Sequence, residues 1–331
     1  MTHLRFLGKH RGVLIGIGFI LAVLALVLPL DAQTVQAVNQ AGQAQDRAEL
    51  LRTPATLRED PTDEETGTDS SHAVASPNDP DLGEQAILKR AENYQAFTFY
   101  TSAPISYTSN VALTRNGEEY DFLFTPSVGI NYAPRITRTL YGSISLSQQF
   151  FYYDRFGELD FASFDVHAGL VYYLPALHNL LLRAGYDFNR LTSSDDLGDE
   201  FFSDHSFVVG GELPFRIGRA QQISVGADFD FSVAADPEPP ARHDYSGFVG
   251  YSVNLTRALT ASAVARIAIR DYVEDGRTDV SGILALSANY RFTKWLSANA
   301  ISTFATNDSN RDVFDYDVAN LGAALSLNLR F

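Results

Sequence analysis

The sequence predicts an all-β protein, a transmembrane antiparallel up-and-down β-barrel of about twelve strands, preceded by an N-terminal signal peptide and a disordered linker. Three observations predict this fold. Segments in which apolar and polar residues alternate recur from residue 97 to the end of the chain. Most of these segments are longer than the strands of soluble sheets, and the connections between them come in two alternating kinds. A barrel in a membrane is therefore favoured over a soluble β-sandwich, which would show the alternation without the two kinds of connection.

The first 32 residues have the layout of a secretory signal peptide. Basic residues precede an apolar run over residues 13–28, and Pro29 and small residues follow that run. We expect cleavage after Ala32 or after Ala37. An uncleaved inner-membrane anchor is the alternative, because the apolar run is close to the shortest that spans a bilayer as a helix. The chain contains no cysteine, which excludes a lipoprotein anchor and any thiol-based mechanism.

Residues 33–95 form a second region, an acidic segment with few large apolar side chains. Such a composition buries too little apolar surface to offset the entropy of ordering, so we expect a disordered periplasmic segment. A plug of the barrel or a docking peptide is the alternative. The formal net charge of the whole chain is −15, which excludes a nucleic-acid partner because phosphate binding requires a basic surface.

The barrel domain is predicted over residues 96–331. A strand that crosses a bilayer at a tilt needs about 9–11 residues, and most of the alternating segments reach that length. In the last segment every second residue is apolar and the intervening residues are small or polar. The predicted strands are 97–113, 120–133, 140–153, 161–174, 180–191, 205–215, 221–234, 244–255, 259–271, 278–292, 296–306 and 318–331.

The connections separate the two ends of the predicted barrel. Short connections read PRITRT, PALHN, RIGRA, TRA and TKW, and they carry basic residues and no acid. The others, which include TRNGEEY, TSSDDLGDEFFSD and NDSNRDVFDYD, are mostly longer and rich in Asp and Glu. Short periplasmic turns and longer extracellular loops are typical of outer-membrane barrels. Aromatic residues near strand ends predict interfacial girdles, formed by Phe150, Phe151, Tyr152, Tyr153, Tyr132, Tyr172, Tyr290, Phe292, Trp295 and Phe331.

The end of the chain carries a resemblance to a known class of proteins. Leu325, Leu327, Leu329 and the terminal aromatic Phe331 alternate along the last strand. This pattern resembles the assembly signal of Gram-negative outer-membrane β-barrels. The resemblance implies recognition by the barrel-assembly machinery, contact with outer-membrane lipid and lipopolysaccharide, and location in the outer membrane. The stretch SNVALTRNGEEYDFLFTPSVGINY also resembles the first hairpin of uncharacterised β-barrel porins, a family that brings no assigned functional residues.

Charged residues on the inward faces are the candidates for lining a pore. Many other inward residues are small, which predicts a lumen that water can enter. Counting from the short turns places Asp187, Asp228 and Arg266 at similar heights. Either these charges form a constriction that selects solutes, or they pair with one another and close the lumen. The pore-lining candidates are Arg183, Asp187, Asp228, Asp230, Arg266, Arg270 and Arg291.

A metal site in the last loop is weakly indicated. DSNRD places Asp308, Asn310 and Asp312 at alternate positions, as at the start of a calcium-binding loop. Val313 stands where an EF-hand needs Gly, and Ala319 stands where it needs Glu. Solvated charge is therefore favoured, with divalent-ion bridging to lipopolysaccharide as the alternative, and no cofactor is predicted.

A lipid hydrolase is the enzymatic alternative. It needs Ser and His on the lipid-facing side near the outer rim, oriented by a third polar group. The nearest candidate is DHS, residues 204–206. Adjacent residues on a strand point to opposite faces, so Asp204 and Ser206 share one face without His205, which argues against catalysis.

The function favoured by the sequence is passive diffusion of small hydrophilic solutes or ions through a modest pore. The acidic loops predict a mild preference for cations, because they raise the local cation concentration at the mouth. The alternative is a non-conducting barrel with a structural, adhesion or assembly-partner role, which would act through its acidic loops or linker.

Overall fold

A computed structural model of the chain describes residues 96–217, 220–238, 241–273 and 276–330. The predicted signal peptide, the predicted linker over 33–95 and Phe331 lie outside these residues. The described strands are β1 (Phe97–Thr108), β2 (Asp121–Phe124), β3 (Ser127–Tyr132), β4 (Leu140–Tyr153), β5 (Phe161–Leu174), β6 (Leu180–Ser193), β7 (Glu200–Arg216), β8 (Gln221–Asp236), β9 (Arg242–Asn254), β10 (Leu259–Tyr272), β11 (Thr278–Arg291), β12 (Leu296–Ser309) and β13 (Tyr316–Arg330). Single turns of 3₁₀-helix occupy Gly157–Leu159, Pro175–Leu177 and Asp312–Phe314.

The sheet closes into a barrel of 12 spanning strands, as predicted. Each strand pairs antiparallel with its neighbours, and β13 pairs with β1 to complete the circle. β2 and β3 are two parts of one spanning strand, because both pair with β1 and β4 in one continuous register. The interruption falls at Pro126, which has no N–H to donate, while the preceding Thr125 N–H still donates to the carbonyl of Pro104 at 3.0 Å.

Several predicted strand boundaries were wrong at one end of the barrel. β1 ends at Thr108 rather than at residue 113, and β7 begins at Glu200 rather than at 205. β-Bulges lie between Leu191 and Thr192 and between His205 and Ser206. Beyond them, polar residues that break the alternating pattern still pair with the neighbouring strand. The predicted loop TSSDDLGDEFFSD is therefore reduced to residues 194–199.

The two faces of the sheet differ in polarity all around the barrel. In β8 the outward residues are Ile223, Val225, Ala227, Phe229, Phe231 and Val233, and the inward residues are Gln222, Ser224, Gly226, Asp228, Asp230 and Ser232. Exposed large apolar side chains cover the outside, whereas the buried side chains of the inside are largely polar. An apolar outer surface around a polar interior is the arrangement of outer-membrane barrels, and the protein is located in the outer membrane.

The two ends of the barrel are named here by their connections. The loop end carries residues 109–120, 154–160, 194–199, 237–238, 241, 273, 276–277 and 310–315. The turn end carries residues 133–139, 175–179, 217, 220, 255–258 and 292–295, together with the start of β1 and the end of β13. No helix in the described part of the chain is both long and apolar enough to cross a membrane.

The predicted aromatic girdle of the loop end needs a correction. Phe150 and Tyr152 face outward and stack on one another, as expected. Phe151 and Tyr153 point into the barrel, because alternate residues of a strand face opposite sides. Of these four consecutive aromatic residues, two therefore lie on the outer surface that faces lipid and two lie inside the barrel.

Candidate functional site

Apolar side chains pack together inside the barrel near the loop end, and we call them the mouth cluster. Its members face inward from the sheet or from the loop after β1, and four of them are at most 1% exposed. Tyr272 on β10 lies across the barrel from the members on β4, so the cluster spans the lumen. Because water in a wide lumen would reach these residues, their burial indicates that apolar packing narrows the lumen at this end. The members are Val111, Leu123, Phe151, Tyr153, Phe161, Leu191, Phe202 and Tyr272.

A belt of ionisable side chains, the charged belt, lies on the turn-end side of the mouth cluster. All of its members face inward. They project from β5 to β11, so one side of the lumen is charged and the remaining strands supply mainly uncharged inward groups. The members are His167, Arg183, Asp187, Asp228, Asp230, Asp244, Arg270 and Asp279.

Arg183 and Asp228 form an ion pair across the intervening strand β7. Arg183 donates to Asp228 Oδ1 from Nη2 at 2.7 Å and from Nε at 3.2 Å. The register places Gly210 between them, and a methyl carbon at that position would overlap Asp228 Oδ1. Two predicted pore residues thus pair with each other, which is the contact that the salt-bridge alternative requires.

Asp187 is held by a histidine on the neighbouring strand. His167 Nδ1 and Asp187 Oδ1 are 2.6 Å apart, and both residues are buried. Asn189 Nδ2 donates to Ser163 Oγ at 2.9 Å and to Asp165 Oδ1 at 2.5 Å. This part of the charged belt is therefore a hydrogen-bonded network rather than a set of separate solvated charges.

A second group of charges lies at one height across β8 to β11. The register pairs Asp230 with Asp244, Asp244 with Arg270, and Arg270 with Asp279. Arg270 is 1% exposed and lies between two carboxylates of adjacent strands. Arg242 Nε lies 3.0 Å from Asp244 Oδ1. The positive charge of the buried Arg270 is therefore compensated by a carboxylate on each neighbouring strand.

The two remaining pore-lining candidates lie elsewhere in the lumen. Arg266 Nη2 donates to Ser246 Oγ at 3.2 Å, and Ser246 is the register partner of Asp228. Arg291 is at the turn end, where its Nη2 donates to the carbonyl of Arg257 at 2.7 Å. That a solute passes these seven residues stays a prediction.

Sequence reasoning missed several inward charges that complete these networks. Arg242 and Arg277 were assigned to loops, and Asp244 was assigned to the first position of a strand, where the alternation is weakest. The sequence does contain a pattern that predicts these inward positions. Polar residues at every second position, as in Arg242, Asp244 and Ser246, continue the inward row beyond the predicted strand end. Glu212 and Asp279 were already within predicted strands and are buried on the inward face.

The inward residues of β11 to β13 near the turn end are mostly uncharged, apart from Arg291 and Arg330, and they are partly exposed to solvent. Ser287 and Asn299 are inward-facing and partly exposed. Asn299 Nδ2 donates to Ser326 Oγ at 3.2 Å, and Ser326 Oγ is 3.0 Å from Ser102 Oγ across the seam where the barrel closes. Ser287, Asn299 and Ser326 therefore keep part of their surface accessible to solvent inside the barrel.

Small inward residues do not all widen the lumen, which corrects one expectation from the sequence. The ring of Tyr100 lies over Gly129, and the ring of Phe248 lies over Gly226. At these positions the missing side chain is replaced by a large one from the adjacent strand. A glycine in the alternation is thus no sign of open space.

The DHS residues are divided between the two faces of β7, as predicted. Asp204 and Ser206 face inward and are buried, and Asp204 accepts a hydrogen bond from Ser232 at 2.5 Å. His205 faces outward, with Nδ1 2.5 Å from the hydroxyl of Tyr186. These three residues therefore do not form a Ser–His–Asp arrangement.

The predicted metal ligands are used in loop packing. Asn310 Oδ1 accepts the Thr278 N–H at 3.2 Å, and Asn310 Nδ2 donates to the carbonyl of Gly276 at 2.8 Å. Asp308 lies on the outward row of β12, and Asp312 begins a single 3₁₀ turn. In the part of the chain that the structure describes, no group of three or more His, Asp or Glu side chains could hold a metal ion.

The residues of the terminal pattern face the lipid side where they are described. Leu325 and Leu329 are exposed on the outside of β13, and Leu327 occupies the same row. Ser326 and Arg330 occupy the inward row. Recognition of this pattern during assembly stays a prediction.

Comparison with known proteins finds solved structures with a similar fold. No protein-family model and no curated protein matches the chain. The solved COG4313 outer membrane channel from Pseudomonas putida F1 is similar at a TM-score of 0.53 and 10% identity, over 71% of this chain and 96% of that one. The KdgM porin matches at a TM-score of 0.39 and 9% identity, over 67% and 97% of the two chains. At such identities the similarity to the COG4313 channel shows a shared barrel fold and leaves the solute open.

Proposed function

We propose that the protein is a porin-like passive channel for small hydrophilic solutes or ions. The observation that carries the proposal is a closed barrel whose inward side chains are polar and partly charged, with partly exposed hydroxyl and amide groups toward the turn end. A barrel of this size is wider than the eight-stranded barrels that side chains fill.

Charge at the two ends supports a preference among ions. The loop end carries Asp195, Asp196 and Asp199 in one loop, whereas the turn end carries basic residues such as Arg135 and Lys294. Acidic groups at a mouth raise the local concentration of cations. The channel would therefore admit cations more readily from the loop end than from the turn end.

A non-conducting barrel is the second candidate, and two observations favour it. The mouth cluster fills part of the lumen at the loop end, and pairs such as Arg183 with Asp228 neutralise charges in the lumen. In that case the acidic loops or the segment over 33–95 would carry the function, through binding of a partner.

Swelling of proteoliposomes separates the two candidates. Refolded full-length protein is placed in vesicles, which are then diluted into isosmotic solutions of small neutral saccharides of increasing size. A channel gives swelling whose rate falls steeply as the saccharide grows. Swelling no faster than that of protein-free vesicles, for every solute, would reject the channel and favour the non-conducting barrel.

The terminal pattern supports binding to the barrel-assembly machinery, and the outer surface supports contact with lipopolysaccharide. Phe331 and the outward leucines of β13 would be recognised by the barrel-assembly machinery. Acids on the outward rows at the loop end, such as Asp308 and Asp317, would contact lipopolysaccharide through divalent ions. Removal of divalent ions by a chelator should then weaken retention of lipopolysaccharide on the purified barrel.

A further inference from the structure

We infer that the first loop, residues 109–120, is the element that closes the lumen at the loop end, and that Val111 and Leu113 limit which solutes pass. This inference rests on the proposed channel function and specifies the part of the barrel that restricts passage. It concerns a loop that was predicted in part as a continuation of β1, and whose inward packing the alternation did not reveal.

The loop turns inward and joins two apolar clusters of the lumen. Val111 is a member of the mouth cluster, beside inward residues of β2 and β4 to β7. Leu113, only 1% exposed, belongs to a second cluster with inward residues of β11, β12 and β13. Two side chains of one turn thus connect opposite parts of the barrel wall. The second cluster contains Leu113, Ile283, Ala305, Tyr316 and Val318.

The backbone of the loop is held in this position by a buried asparagine. Asn110 Nδ2 donates to the carbonyl of Thr114 at 2.7 Å and to that of Asp317 at 2.9 Å. Its Oδ1 accepts the N–H of Thr114 at 3.1 Å. Leu113 has a φ of 49°, a conformation that residues other than glycine seldom adopt. A strained backbone at a fully buried side chain indicates that the packing of Leu113 determines the loop conformation.

An ion pair joins the first loop to the loop over 310–315, and a ring contact joins that loop to Arg277. Arg115 Nη1 lies 2.9 Å from Asp315 Oδ2, and Asp315 Oδ1 accepts the N–H of Ser309 at 2.8 Å. Arg277 is stacked between two rings, 4.2 Å from the centroid of Tyr272 and 3.6 Å from that of Phe314.

This stacking ties the fifth loop to the sixth. Tyr272 is itself a member of the mouth cluster. The contacts are therefore connected: Val111 and Leu113 supply the apolar ones, and Arg115, Asp315 and Arg277 supply the charged ones.

The test uses a single introduced thiol, because the chain has no cysteine of its own. Ala305→Cys places the thiol in the second cluster, at a position that is fully buried. The loop variant adds Val111→Ser and Leu113→Ser to this reporter. A matched control adds Ala112→Ser and Asn116→Ser, two exposed positions of the same loop. The reagent is a small charged maleimide, applied to refolded protein in lipid nanodiscs, and resistance to cold detergent checks that each barrel is folded.

We expect the thiol to be modified at least about tenfold faster in the loop variant than in the control, because two buried apolar side chains no longer hold the loop closed. Equal rates in the two proteins overturn the inference. Should the double serine variant fail to fold, Arg115→Gln replaces it, since this change removes the contact with Asp315 and leaves the apolar residues in place. It should raise the rate by a smaller factor, and an unchanged rate again counts against the inference.

Single-channel recording separates this inference from the proposed function. The same loop variant, without the reporter, should show a higher conductance or a longer open time than the control. Equal conductance steps in both proteins overturn the inference and leave the channel standing. Faster thiol modification without a conductance step in either protein rejects the channel and retains the loop as a cover.

Discussion

Replacement of Gly210 by alanine should destabilise the barrel through an ion pair on the neighbouring strands. A methyl carbon at this position overlaps Asp228 Oδ1 and lies 3.1 Å from the carbonyl oxygen of Ala227. The carboxylate can rotate away, but it then loses its two hydrogen bonds to Arg183 at 2.7 and 3.2 Å. Because Asp228 is 23% exposed, water replaces part of what is lost. We expect a cost of about 2 kcal/mol, the lower part of the range for a broken charged pair plus overpacking.

The assay is equilibrium unfolding in urea of the protein refolded into lipid vesicles, followed by the fluorescence of Trp295, the only tryptophan. Gly282→Ala is the matched control, because an added carbon there meets nothing within 4 Å. It should leave the free energy of unfolding within about 1 kcal/mol of the wild type. The cost of Gly210→Ala should shrink in an Arg183→Met background, where the pair is already lost. Equal effects of the two alanines, or an undiminished cost beside Arg183→Met, would refute the mechanism.

Three further predictions concern the lumen, the ends of the barrel and assembly. Asp187→Asn combined with Asp228→Asn should shift the reversal potential in a salt gradient toward anion preference, because two negative charges are removed while Arg183 keeps its positive charge; an unchanged potential rejects these acids as selectivity residues. Wild-type current should rectify at low salt and lose this asymmetry at high salt, since the acidic loop end and the basic turn end are screened; rectification that persists at about 1 M salt contradicts an origin in surface charge. Deletion of Phe331 should lower the folded fraction in outer membranes, scored by heat-modifiable gel mobility, and leave the conductance of refolded protein unchanged; normal insertion argues against its role.

The fold could be predicted from the sequence because the alternation of apolar and polar residues has a physical cause on both faces of every strand. Lipid selects the row of Leu321, Leu325 and Leu329, and the lumen selects the row of Ser326 and Arg330, so each strand reports its own orientation. The number of spanning strands followed from the same signal. Pro126 interrupts the hydrogen-bond ladder and leaves the register unchanged, so it did not disturb that prediction.

Two parts of the site could not be predicted from the sequence, for different physical reasons. Contacts such as Arg183 with Asp228 cross an intervening strand, so they depend on the tilt and register of three strands together. The inward turn of the first loop depends on Asn110 and on the left-handed backbone of Leu113. Neither feature produces a repeating pattern in the sequence from which it could be predicted. Val111 and Leu113 continue the apolar alternation of β1, and this similarity led to a strand prediction that was too long.

Single-channel recording in a planar lipid bilayer decides whether the barrel conducts. The refolded wild-type protein and the variant carrying Val111→Ser and Leu113→Ser are recorded side by side in symmetric salt and then in a salt gradient. We expect discrete conductance steps in both proteins, larger or longer in the variant, with a reversal potential on the cation-selective side. Absence of steps at every voltage in both proteins would contradict the proposed channel.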